Sequence, residues 1–334
     1  MKILITGASG FIGSFIVEEA LKRGFETWAA VRKSSSKVFL QDERIHFIEL
    51  DFSSQESLEN QLKGHQFDYV VHAAGATKCL HQEDFFRINT EGTQHFVRAL
   101  IALQMPIKRF VYISSLSIMG AIREQLPYEE IRDTDKAQPN TAYGKSKLAA
   151  EEWLSTLPTQ HPTFNYIILR PTGVYGPRER DYFLQIQSIK RHMDFAVGFQ
   201  RQDITFVYVT DVVEAIFLAL EKGQTGKAYF LSDGEVYQSA EFSNLVHEGL
   251  GRPWWIRITA PIWLLRIITW CGDWWGRTTG KMTALNNDKF NILRQRNWRC
   301  DISPAREELG FEPKVKLAEG VRRSIQWYKE NKWL

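Results

Sequence analysis

The sequence predicts an α/β fold built on a doubly wound parallel sheet. Three observations predict it. Short apolar runs alternate with stretches of helix formers, as in strands buried on both faces and joined by crossover helices. The first run leads directly into a turn carrying three glycines. Several runs end in small or polar residues, where an open parallel sheet presents its carboxyl edge to a ligand.

Ile3-Leu4-Ile5 is the first strand and Thr6 to Gly13 the turn; Ser14 to Arg23 reads as a helix closed by Gly24. Gly7 permits a tight turn, Gly10 lets a pyrophosphate approach the backbone, and Gly13 lets the helix pack on the strand. Ser9, Phe11 and Ile12 belong to the same dinucleotide cradle. The second strand, Glu26 to Val31, ends in Arg32 and Lys33 with no acid before Asp42. An acid there would accept a ribose 2′-OH, whereas a base suits a 2′-phosphate, so NADP is favoured over NAD with Arg32 on the phosphate. The third strand, Ile45 to Leu50, ends in Asp51-Phe52, placed at the adenine, although Asp51 also fits the N-cap of the next helix. Tyr69 to His72 is the fourth strand, and Ala73-Ala74-Gly75 after it allow close backbone approach. His72 reads as a packed strand residue, and Asn89 as the cap of a helix over Asn89 to Leu103 or as a site residue.

Phe110 to Ile113 is the fifth strand, ending in Ser114-Ser115-Leu116-Ser117. Tyr143 and Lys147 then stand four residues apart on one helix face, with Asn140 as the expected N-cap. An ammonium beside a phenol lowers its pKa from about 10 and equips it for proton transfer. With Ser115 the set is complete: an oxygen donor, a proton donor and a cation. Ile167 to Leu169 is the sixth strand, followed by Arg170 to Arg178, a turn rich in Pro and Gly. Pro171 and Val174 are assigned to the cofactor side of this turn. Thr77, Leu116, Arg178 and Tyr182 are assigned to the substrate.

These motifs resemble those of the extended short-chain dehydrogenases/reductases of the epimerase/dehydratase type. The matching stretches are Thr6 to Gly13, Asp51-Phe52, His72 to Gly75, Ser114-Ser115, Tyr143 to Lys147, Arg170 to Pro177, Phe206 to Val213 and Asp301 to Trp327. The resemblance covers nearly the whole chain. It implies a Rossmann domain over 1–171 plus about 204–228, a smaller, mainly helical substrate domain over about 172–203 plus 229–334, and Ser115, Tyr143 and Lys147 as a catalytic triad. It also implies a homodimer. Gly173 stands where sugar-nucleotide epimerases usually carry Asn. The pattern is more similar to dihydroflavonol-reductase-like and 3β-hydroxysteroid-dehydrogenase-like members, which act on hydrophobic ketones or alcohols. The expected activity is an NADP-dependent oxidoreductase interconverting a ketone and a secondary alcohol. The alternatives are a sugar-nucleotide epimerase or dehydratase, and a non-catalytic NAD(P)-binding protein.

The totals limit other classes. A net charge of +3 over 334 residues is too small to argue for nucleic acid, and the short basic run Arg294 to Arg299 reads as a solvated face. Cys79, Cys271 and Cys300 have no metal-ligand or redox spacing, and no metal is expected. They suit a reducing compartment, no signal peptide is expected before a strand starting near Met1, and a cytoplasmic location follows. The charge is uneven: residues 252–334 hold 16 Lys and Arg against 8 Asp and Glu. Six tryptophans crowd the segment 254–275, which reads as a core or subunit-contact helix, a lid over an apolar pocket, or a peripheral membrane segment.

Overall fold

A computed structural model describes residues 1–279 and 286–334. The chain first lays down β1 (Lys2–Thr6), β2 (Glu26–Val31), β3 (His46–Glu49), β4 (Tyr69–His72), β5 (Arg109–Ile113) and β6 (Tyr166–Pro171). Then follow β7 (Gly173–Tyr175), β8 (Met193–Val197), β9 (Asp203–Ile204), β10 (Phe206–Tyr208), β11 (Ala228–Leu231), β12 (Tyr237–Gln238) and β13 (Ile256–Ala260). Seven of these form one parallel sheet in the order β11-β6-β5-β4-β1-β2-β3. The order reverses at β1, which pairs with β2 on one side and β4 on the other. At such a switch point the carboxyl ends of the strands open into a crevice.

The helices of the first half are α1 (Phe11–Lys22), α2 (Gln55–Leu62), α3 (Gln82–Phe86), α4 (Gly92–Ala102), α5 (Ala142–Leu154) and α6 (Leu157–Gln160). The second half adds α7 (Asp181–Lys190), α8 (Val209–Glu221), α9 (Ser239–Gly249), α10 (Ile262–Thr279), α11 (Asn287–Arg294) and α12 (Leu317–Glu330). Successive strand residues point to opposite faces. Ile3 and Ile5 therefore join the core under α1 and α8, and Leu4 joins the core under α2, α4 and α5. A third core, with Tyr175, Phe206, Phe242, Val321 and Tyr328, holds the second lobe together.

Several expectations are corrected. The helix after the glycine turn begins at Phe11, not Ser14, because Gly10 is already its extended N-cap. Asn89 caps nothing: α3 runs into α4 through a π-turn at Arg87–Glu91, and Asn89 lies buried inside it. Asp51 is not the cap of α2; Ser54 is, accepting from the Ser57 N–H. The first domain does not end at 228. β11 completes the sheet beyond that point, and Ile302, Ala305 and Phe311 return to the same core.

Candidate active site

Helix α5 places the tyrosine. Its N-cap is Thr141 rather than Asn140: the Thr141 Oγ1 accepts the Gly144 N–H at 2.9 Å. Gly144 lets the helix sit against the strand-end serines, since a Cβ there would lie 2.5 Å from the Ser117 carbonyl oxygen. That approach brings the Tyr143 phenol close to the Ser115 hydroxyl. Ser115 is itself fixed as the cap of a short 3₁₀ turn, its Oγ accepting the Ser117 N–H at 3.1 Å.

Lys147 lies one turn further along α5 and is buried. Its Nζ donates to the Ile113 carbonyl at 2.8 Å, at the end of β5, and stands 4.7 Å from the centre of the Tyr112 ring. Burial pushes the Tyr143 phenol up to about 12, against a smaller lowering by Ser115. Burial also pulls the Lys147 ammonium down to about 8, against the opposing charge of Glu151. The expected lowering of the phenol by its lysine is therefore corrected: desolvation dominates both groups, and the ammonium is engaged with a backbone carbonyl.

Asn89 fixes the loop over this lysine. Its Oδ1 accepts the Ala76 N–H at 2.7 Å, and its Nδ2 donates to the Ala76 carbonyl at 3.0 Å and to Ser146 Oγ at 2.9 Å. Gly75 is consequently pressed onto the site: a Cβ there would lie 3.0 Å from Asn89 Oδ1 and 3.2 Å from Lys147 Nζ. The loop after β4 is thus shaped by a buried amide reaching across from the α3–α4 helix.

The dinucleotide cradle fits. Gly7 has φ +67°, and a Cβ on Gly13 would lie 2.1 Å from the Gly7 carbonyl oxygen, so only glycine closes this turn. The N-terminus of α1 has no side-chain cap and no acidic residue in its first turn, leaving N–H groups and a positive dipole end for a phosphate. Thr6 Oγ1 accepts the Ala74 N–H at 3.1 Å and meets His72 Nδ1 at 2.8 Å, joining the two loops that flank the crevice. His72 is a packed residue, as expected. Its Nε2 meets Thr93 Oγ1 at 3.0 Å, and burial holds its pKa down at about 3. Arg32 is exposed at the end of β2, and Asp51 is exposed with its carboxylate accepting from the Ser53 N–H and hydroxyl. Phe52 packs on His72 and Phe96. Pro171 is buried in β6 opposite Leu231, and Val174 pairs with Val207.

The substrate-side residues divide. Thr77 is exposed, and its neighbour Lys78 ion-pairs with Asp181, tying this loop to α7 of the second lobe. Tyr182 packs on Phe206 and Phe242, and a Cβ on Gly173 would lie 2.4 Å from its phenol oxygen. Leu116 is corrected: its side chain is buried in the core under α1 and α8. Arg178 is also corrected. Its guanidinium donates to Ser14 Oγ at 2.9 Å and Glu18 Oε1 at 2.5 Å and stacks on Phe15 and Phe39, locking the lobe to α1.

Two contributors were not foreseen. Glu151, buried one turn beyond Lys147, accepts from Arg170 Nε at 3.1 Å and from the Arg170 terminal nitrogen at 2.5 Å. The Asp288 carboxylate accepts backbone N–H groups at the start of α5. The i, i+4 spacing from Lys147 was a signal for Glu151; Asp288 has none, since it arrives from the far end of the chain.

Sheet order, glycine turn and switch-point crevice define an NAD(P)-binding Rossmann fold, and comparison with known proteins makes it one of the extended short-chain dehydrogenases/reductases. The chain belongs to the NAD-dependent epimerase/dehydratase family, whose profile matches residues 3–232. It is 27% identical to the UDP-glucose 4-epimerase of Vibrio cholerae, over 97% of this chain and 94% of that protein. It is 21% identical to the decarboxylating sterol-4-alpha-carboxylate 3-dehydrogenase of Candida albicans, over 98% of each chain. Its fold is that of the Thermotoga maritima UDP-glucose 4-epimerase crystallised with UDP-glucose, with a TM-score of 0.79, 24% identity and coverage of 99% of this chain and 100% of that one. Among the described residues no helix is long and apolar enough to cross a membrane, and no cluster of side chains could hold a metal ion.

Proposed function

We propose that the protein interconverts a ketone and a secondary alcohol on a hydrophobic small molecule, with NADP(H) as cofactor and Ser115, Tyr143 and Lys147 as the catalytic residues. The observation that carries this reading is that Ser115, Tyr143 and a buried Lys147, its Nζ on the Ile113 carbonyl, converge at the carboxyl end of β5. When bound, the nicotinamide supplies or accepts the hydride. The Gly7–Gly10 turn and the α1 N-terminus would hold its pyrophosphate, and Arg32 its 2′-phosphate. Ser115 and Tyr143 bond the substrate oxygen. A phenol pushed up to about 12 is protonated at neutral pH, which suits a general acid for ketone reduction. The Lys147 ammonium, held on the Ile113 carbonyl, would bond the nicotinamide ribose.

Gly173 supports a hydrophobic substrate over a sugar nucleotide. Its Cβ position is filled by the Tyr182 phenol, so an asparagine cannot stand there without displacing that ring. One relative is a sterol dehydrogenase by name. The second reading, a sugar-nucleotide epimerase or dehydratase, is supported by the likeness to the Vibrio cholerae enzyme. A panel of steroid, flavonoid-like and sugar-nucleotide substrates with both cofactors tests the choice. Net oxidation of NADPH with an apolar ketone is expected. Turnover of a sugar nucleotide with no net change in nicotinamide absorbance would overturn the proposal in favour of the second reading.

A further inference from the structure

In the second lobe, the elements that carry the tryptophan-rich segment turn apolar side chains outward. β13 pairs with β8, with Ile256 beside Met193 and Ile258 beside Phe195. All four side chains are exposed. On the same ribbon the polar residue is the buried one: Asp194 accepts from Arg257 Nε at 2.6 Å and from Ser243 Oγ at 2.8 Å. A solvated ribbon shows the reverse alternation.

β13 passes through Pro261 into α10, which repeats the inversion. Leu265 and Thr269 face inward, and the Thr269 hydroxyl donates to its own helix at the Leu265 carbonyl, 3.0 Å away. Trp263, Ile267, Trp270 and Trp274 follow one another at i, i+4, i+7 and i+11 and form the outward stripe, 65%, 52%, 65% and 59% exposed. Trp275 has its side chain outside the described residues. The charges beside this surface are of one sign. Lys190, Arg191 and Arg266 are exposed and, among the described residues, form no ion pair. The acids in 190–201 and 252–274 are Asp194, buried, and Asp273, half-buried and accepting the Asn287 N–H.

We propose that α10 and the β8–β13 ribbon dock on the surface of an anionic lipid bilayer, with the tryptophan stripe seated among the headgroups. Tryptophan favours that interface because its ring is apolar and its N–H remains wet. The unpaired cations complement anionic headgroups. The same cations disfavour a second copy, because a two-fold contact would set Lys190, Arg191 and Arg266 against themselves. An 18-residue helix carrying Arg266 and Asp273 lies in the interface rather than across it. The proposal does not depend on the substrate reading.

The test is flotation of the full chain with vesicles of phosphatidylcholine alone and of phosphatidylcholine with phosphatidylserine. Binding to the anionic vesicles is expected, weakened by salt, and reduced roughly tenfold or more by the double variant Trp263→Ser/Trp270→Ser and by Arg266→Glu. All three positions are exposed, so retained thermal melting checks that the variants fold. Equal binding by variants and parent would overturn the proposal. So would the absence of flotation with either vesicle. Elution as a dimer that the same tryptophan substitutions convert to a monomer, with no flotation, would assign the face to a second copy instead.

Discussion

The Asp288 carboxylate accepts the backbone N–H of Ala142 at 3.0 Å and that of Tyr143 at 3.3 Å, across 145 residues of chain in the second case. It meets the positive end of α5, so the tyrosine's helix is anchored by a residue of α11. The neighbouring Asn291 Nδ2 donates to the Asn140 carbonyl at 2.8 Å and reinforces the contact. Asp288 is a positioning residue. Asp288→Ala is expected to cost about 1 kcal/mol of stability, typical of a lost cap. It should lower kcat more than it raises KM for the cofactor, and Asp288→Asn should recover part of the loss. Steady-state kinetics with thermal melting checks this; an unchanged kcat in Asp288→Ala would contradict it.

Burial and Glu151 act on Lys147 in opposite directions. The Glu151 carboxylate opposes the burial that pulls the ammonium down to about 8. In ketone reduction the ammonium is useful when protonated, so kcat/KM should fall as pH rises through about 8. Glu151→Gln removes the opposing charge, and the alkaline limb should move to lower pH. The variant should also lose on the order of 3–5 kcal/mol, because it leaves the Arg170 guanidinium without its carboxylate in a mostly buried place. The pH profile of kcat/KM, measured beside thermal melting, decides whether the limb moves.

His72 predicts an acid-side loss of stability. Burial depresses its pKa from 6.5 to about 3 in the folded chain. Below pH 6.5 the unfolded chain binds a proton that the folded chain refuses. Its contribution is therefore full above that pH and is lost progressively as pH falls from 6.5 towards 3. His72→Phe removes this titration, and the decline of melting temperature over the same interval should flatten relative to the parent. Parallel curves for the two proteins would contradict the assignment.

Gly13 closes the cofactor turn by having no side chain. Gly13→Ala places a methyl group about 2.1 Å from the Gly7 carbonyl oxygen, so the turn and α1 must separate. Loss of nicotinamide-cofactor binding by at least roughly tenfold is expected, with a lowered melting temperature. Isothermal titration with NADP and NAD measures it on the same samples. Arg32→Asp should reverse the preference between the two cofactors while leaving melting unchanged, since Arg32 lies exposed on the surface.

The sheet was legible because buried parallel strands must be apolar on both faces: β2 and β4 lie where their apolar runs stand in the sequence. The glycine turn was legible because no other residue closes it. That Ser115, Tyr143 and Lys147 meet at the end of β5 was legible by order and spacing. What local pattern could not carry was long-range pairing. Asn89 looks like a cap in sequence, yet it serves a loop 13 residues away. Arg178 looks like a substrate ligand, yet Glu18 takes its charge. The ionisation of Tyr143 and Lys147 also depended on burial, which spacing does not report. The tryptophan segment read three ways, and the exposure of one helical stripe sets aside only burial in this chain's own core.

The central claim is that Tyr143 carries the proton. The measurement is turnover by Tyr143→Phe beside its affinity for NADPH, with an apolar ketone that the parent reduces. A fall in kcat of roughly 100-fold or more with cofactor affinity within about threefold of the parent is expected. Turnover equal to the parent's would contradict the account.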